Sequence, residues 1–191
     1  MASNFYYDAE NITDGSDLGT EPVTLQEVKD YLRLEGYTDT DESTSTNLSD
    51  FDYDDNLIED DIIPGARQLM ERITGVSMIP KTLRRSITNG SGNMEIPDGP
   101  VRSIVSLYDS NDVEILAASY KLTAGPFKRL ISPTYCNMTI TYEAGYITLP
   151  KALKLDLLRL IAYMYENRGD DASIQKFAFQ ISSKYIREGW L

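Results

Sequence analysis

Histidine is absent from the 191 residues, which removes the commonest general base and the commonest metal ligand. A single cysteine, Cys136, rules out an intrachain disulfide and cannot by itself build a structural zinc site. Positive charge is scarce: 18 Lys and Arg stand against 30 Asp and Glu, for a formal net charge of -12. Affinity for a phosphate backbone comes from cationic side chains, so sequence-specific DNA recognition is not expected. DNA passing an acidic wall without sticking is compatible with this charge, because the wall repels phosphates. No run approaches the roughly 18 apolar residues that cross a bilayer, and residues 1–10 lack the basic start and apolar stretch of a secretory signal. The expectation is a protein of the cytosol with no membrane partner. A glycine-rich phosphate cradle is also lacking, since Gly90 and Gly92 are followed by neither a helix nor a Lys-Ser pair.

What is present is enough to fold. A hydrophobic fraction of 41% with 13 Tyr is the composition of a globular chain, of a length for one domain plus appendages. Residues 1–21 carry Asp8, Glu10, Asp14, Asp17 and Glu21 without Lys or Arg and read as an acidic arm. Its Phe5, Tyr6 and Tyr7 are either exposed aromatics or a point of docking on a neighbour. Thr24 and Glu27 then have the spacing of a capping box, and Leu25, Val28 and Leu32 predict a helix over about 25–34, with Gly36 as its left-handed stop. Residues 37–56 hold Asp39, Asp41, Glu42, Asp50, Asp52, Asp54 and Asp55 and no cation, and read as an acidic loop. A second helix follows from Leu57 through Ile73 to Gly75, with a kink expected at Pro64.

Between residues 80 and 149 the periodicity changes to two. Strands are predicted at 82–88, 94–96, 101–109, 119–123, 129–131 and 137–143, with a hairpin turn over Asn89-Gly90-Ser91-Gly92-Asn93 and short connections that favour antiparallel pairing. Leu153, Leu157, Leu158, Ile161, Met164 and Tyr165 define the next helix, with Pro150 near its first turn. The last segment puts Ile174, Phe177, Ala178, Ile181 and Tyr185 on one face, leaves Phe179 elsewhere, and closes on Trp190-Leu191. The expected class is α+β: a small helical domain, an antiparallel β region inserted between the second and third helices, and extended arms. The expected divisions are an arm over 1–21, a central domain over 22–168 with its insertion at 37–56, and a helical segment over 169–191.

Chemistry-bearing constellations are thin. Glu59, Asp60 and Asp61 suit a solvated helix face or favourable charge near a helix start, and a carboxylate hydrolase is the most distant of the readings considered. Asp50, Asp52 and Asp54 open like a calcium loop, but Asp55 stands where the turn needs Gly and Asp61 where a bidentate Glu belongs, so helix capping by Asp54 or Asp55 is preferred. Lys81, Arg84 and Arg85, with Lys128 and Arg129, are either solvated strand positions or sites that meet acidic arms of adjacent copies. Phe177, Phe179, Tyr185, Trp190 and Leu191 place large apolar area near the end of the chain, either packed back on the sheet or anchoring a partner. No cofactor is expected.

Several strings, in their order and spacing, resemble the tailed-phage head-tail connector family over residues 22–168. They are Pro22-Val23-Thr24-Leu25 with Glu27, Lys29, Leu32 and Arg33; Leu57-Ile58 through Ala66-Arg67 to Glu71 and Thr74-Gly75; Pro100-Val101 with Ser103-Ile104; Tyr142-Glu143-Ala144-Gly145-Tyr146 followed by Pro150; and Tyr165-Glu166-Asn167-Arg168. The insertion at 37–56 and Pro64 depart from the family pattern. The resemblance implies a non-enzymatic adaptor of the virion neck, assembled in the host cytoplasm as a closed ring of about a dozen copies. Its implied neighbours are the portal above and a stopper or tail-completion protein below, with DNA only passing through. The alternative reading is an acidic-loop interaction module or a calcium-binding module.

Overall fold

The structure, a computed structural model, describes residues 20–34, 55–87, 93–131 and 137–186 together with the backbone of 7–8. The chain divides into two compact units, one from residues 1–20 and 75–148, the other from 21–74 and 149–191. All four described helices belong to the second unit and the two described sheets to the first. The mixed α+β class and the placing of the β region between the second and third helices agree with the sequence reading.

In the helical unit, α1 (Leu25–Leu32) starts on the capping box expected from Thr24 and Glu27. Its end differs from expectation. Arg33 takes the left-handed conformation at φ 57°, and the amides of Arg33 and Leu34 donate to the carbonyls of Asp30 and Lys29. This closes a Schellman motif three residues early; Gly36 lies outside the described residues. The second helix begins with a π-helical stretch, Leu57–Ile62, and continues as α2 (Ile63–Thr74). Pro64 lacks an amide and its ring crowds the carbonyl one turn back. The strain is taken up by widening the preceding turn, where the Ile63 amide reaches back to the Ile58 carbonyl. Gly75 ends α2 at φ 63°. The helices α3 (Lys151–Glu166) and α4 (Asp171–Ser182) complete the unit, and a 3₁₀ turn at Ser183–Tyr185 follows. Val23, Val28, Ile58, Ile62, Ile63, Ala66, Met70, Leu153, Leu157, Leu160, Ile161, Ile174 and Ala178 are its buried apolar side chains among the described residues.

The β unit holds β1 (Tyr7–Asp8), β2 (Lys81–Ile87), β3 (Asn93–Glu95), β4 (Val101–Asp109), β5 (Lys121–Leu122), β6 (Arg129–Ile131) and β7 (Met138–Ala144). They form two antiparallel sheets, ordered β1-β2-β7-β4 and β3-β6-β5. The hairpin expected between residues 82–88 and 94–96 is not there. Strand β2 pairs along all seven residues with β7 and at its other edge with β1, and β3 pairs with β6. Both edges of β2 are thus occupied, one by the seven-residue ladder to β7 with its many cross-strand pairs and the other by β1, while β3 has its partner in β6. Met138, Ile140, Tyr142 and Ala144 alternate inward from β7 and meet Leu83, Ile87, Val101, Leu107, Met94 and Leu130, giving both sheets one apolar core.

Candidate interaction site

The aromatic segment singled out at the end of the chain is built on α3 and α4. The α3 stripe of Leu153, Leu157, Leu160 and Ile161 is buried, and α4 contributes Ile174 and Ala178. Next to this seam the Phe177 ring stacks on Tyr163, with centroids 4.3 Å apart and planes 11° from parallel. Phe179, two residues on and so on the other side of the helix, is 52% exposed. Tyr185 sits in the 3₁₀ turn and its hydroxyl donates to Asp156 Oδ2 at 2.8 Å. Phe177 and Tyr185 are therefore held within the helical unit, Phe179 faces outward, and Trp190 and Leu191 lie outside the described residues.

Asp156 is the residue that the sequence reading missed. It lies on α3 and is 2% exposed. Lys184 Nζ lies 2.7 Å from its Oδ2 and Arg159 NH1 3.0 Å from its Oδ1. Burial works to raise its pKa, but hydrogen bonds from Lys184 and Tyr185, the charge of Lys184 and the Arg159 bond outweigh it and hold the carboxyl below the usual range. A signal was present: residue 156 falls between Leu153 and Leu160 on the inward stripe, where an acid is out of pattern and needs a partner.

The basic clusters are largely used inside the β unit. Arg85 donates to Asp98 Oδ2 through Nε at 2.9 Å and NH2 at 2.6 Å. Lys128 Nζ donates to the Arg102 carbonyl and Arg129 Nε to Asn93 Oδ1. Arg84 is on the outward sheet face and lines a shallow polar concavity of about 390 Å³ with Ser106, Tyr108, Asp112 and Thr141. Asp55, considered as a helix cap, instead pairs with Lys29 at 2.8 Å. Asp50, Asp52 and Asp54 lie outside the described residues, and among the described residues no group of three or more acidic or thiol side chains is placed to hold a metal. No described helix is long and apolar enough to cross a membrane.

The chain matches no family model and no curated protein. Solved structures do match, over nearly the whole length. A chain in the neck of an empty gene transfer agent particle, computed with C6 symmetry, is 19% identical, with a TM-score of 0.65 and 95% of each chain covered. The chain shares its fold with a component of that neck. A chain in the virion of the native gene transfer agent particle is 20% identical at a TM-score of 0.63, covering 96% of this chain and 95% of that one. A third, in the native neck computed with C12 symmetry, is 20% identical at 0.56, covering 71% of this chain and 85% of the other. At such identities the likeness is one of fold, and the fold spans both units, since 95% coverage leaves room for the omission of neither.

Proposed function

We propose that this protein is a structural subunit of the neck of a tailed phage or phage-like particle, working by shape and interface complementarity without turnover. The observation that carries this reading is the two-way coverage of neck and virion chains, which agrees with the ordered strings over residues 22–168. The net charge of -12 suits a part that DNA passes without adhering. The C6 and C12 symmetry of the similar neck structures supports a closed ring of copies. Within that ring we assign the face above to the portal and the face below to a stopper or tail-completion protein. The arms over residues 1–21 and 169–191 are assigned to contacts with these neighbours, and Phe179 with Trp190 and Leu191 to the portal.

Two experiments test the proposal. Electron microscopy of intact particles should show density for this protein at the junction of head and tail, and its absence there would refute the neck role. A chain truncated after Gly169 should fail to join portal-bearing heads; a truncated chain that joins them as well as the full chain refutes the assignment of the C-terminal segment. Calcium titration addresses the alternative, since binding tighter than about millimolar is the behaviour of a built loop.

A further inference from the structure

We propose that Asp156 is a clamp that ties the turn after α4 to α3 and so fixes the direction in which the chain leaves α4, a positioning role within the C-terminal segment. Three observations carry it.

First, Asp156 is 2% exposed, and two of its donors, Lys184 Nζ at 2.7 Å and the Tyr185 hydroxyl at 2.8 Å, come from the 3₁₀ turn that follows α4. Second, helix and turn are held by different means. Ile174 and Ala178 bury the apolar face of α4 itself, whereas in the turn none of Ser183, Lys184 and Tyr185 is buried. At the turn the Ser183 amide donates to the Phe179 carbonyl and the Ile186 amide to the Ser183 carbonyl at 3.3 Å. Third, position 156 lies on the inward stripe between Leu153 and Leu160, where an apolar side chain would join α3 to its neighbours without a buried charge. A carboxylate there adds what an apolar side chain cannot, a directional bond to particular donors. Arg159, one turn along α3, bonds the other oxygen at 3.0 Å and fixes the carboxylate plane, leaving Oδ2 aimed at the turn.

The clamp therefore predicts a local effect. In the full-length chain, Asp156→Asn should speed hydrogen exchange of the amides over 183–186 about tenfold, the scale set by losing one charge-assisted bond. Amides over 174–179 should keep their wild-type rates. A residue that merely stabilised the unit would speed both sets together, and that outcome overturns the proposal. Should Asp156→Asn fail to fold, the paired change Lys184→Met with Tyr185→Phe removes the same bonds from the turn and leaves Asp156 with Arg159. It should reproduce the local acceleration, and unchanged rates over 183–186 would overturn the clamp. The two readings fail separately. Entry of the Gly169 truncation into heads refutes the neck contact whatever the exchange rates are. If exchange over 183–186 is unmoved in both variants, Asp156 does not hold the turn, whatever the truncation does.

Discussion

Replacing Arg67 by Met removes one cation from between two carboxylates. Arg67 Nε donates to Glu21 Oε1 and Oε2 at 3.0 and 2.9 Å, and its NH1 to Glu71 Oε2 at 3.0 Å. The Arg67 side chain is 3% exposed, Glu71 11% and Glu21 29%. At an effective dielectric of about 20, a unit pair 4 Å apart is worth about 4 kcal/mol, against a desolvation cost of several kcal/mol per ion. The intact triad is thus close to neutral in net stability, but its breakage is not. With Arg67 gone, Glu21 regains water, while Glu71 stays nearly buried and loses its Arg67 bond, and the expected loss is about 3–5 kcal/mol. Urea unfolding followed by far-ultraviolet circular dichroism measures it, because every described helix is in the unit that contains Arg67. The second arm of the cycle is Arg67→Met with Glu71→Gln, which leaves no nearly buried charge and should recover most of the loss. A single variant that costs less than about 1 kcal/mol, or a double variant no more stable than the single, refutes the reasoning.

Gly145→Ala should abolish folding of the β unit: at φ 102° an added Cβ would lie 1.9 Å from the Ile79 carbonyl oxygen and 2.5 Å from its carbon, so soluble expression should collapse, and a cooperative folded product at wild-type yield would contradict this. Tyr142→Phe removes the buried hydroxyl that donates to the Pro97 carbonyl at 2.8 Å and should cost about 1–3 kcal/mol in urea unfolding with no change in slope. Asp156 titrates below the ordinary carboxylate value, so its contribution is complete above the unfolded pKa of about 3.9 and disappears as pH falls through the lower folded value. The stability difference between wild type and Asp156→Asn should therefore be flat above about pH 5 and shrink below it; a difference that shrinks between pH 5 and 7 would show another group at work.

The local signals in the sequence were read correctly where one residue type has one geometric use. Thr24 and Glu27 make their box, Gly75 stops α2, strand β4 runs from Val101 to Asp109, and β7 alternates as its Thr-Ile-Thr-Tyr pattern requires. The errors arose where a distant partner decides. Asn89-Gly90 is a strong turn signal, yet β2 is paired by a strand more than fifty residues on. Pro64 did bend the expectation, but the chain absorbed it as a π turn upstream rather than a break at the proline. Asp156 was invisible for the same reason, because its partners at 184 and 185 are known only once α3 and α4 have packed. Of the candidate site, the exposure of Phe179 was legible from helical spacing alone, whereas the internal use of Phe177 and Tyr185 was not.

The strings that carry the resemblance turn out to be occupied chiefly with holding the chain's own fold. Glu27 caps α1 and pairs with Lys154, Lys29 pairs with Asp55, and Arg67 joins Glu21 to Glu71. Tyr142 reaches the Pro97 carbonyl, and Gly145 lets two backbones touch. Each is a position where one side chain, or the lack of one, satisfies a requirement that chemistry makes narrow: a buried charge, a buried hydroxyl, a left-handed turn against a carbonyl. Such positions can keep a fold recognisable at 19–20% identity while the outward surfaces change freely. In the proposed neck role, specificity for neighbours would be drawn from such outward surfaces, among which Phe179 and the Arg84 concavity are exposed in the structure. It follows that exchanging outward positions such as Phe179 and Arg84 between two proteins of this fold should leave folding intact, whereas substitution at Arg67, Tyr142 or Gly145 should impair it.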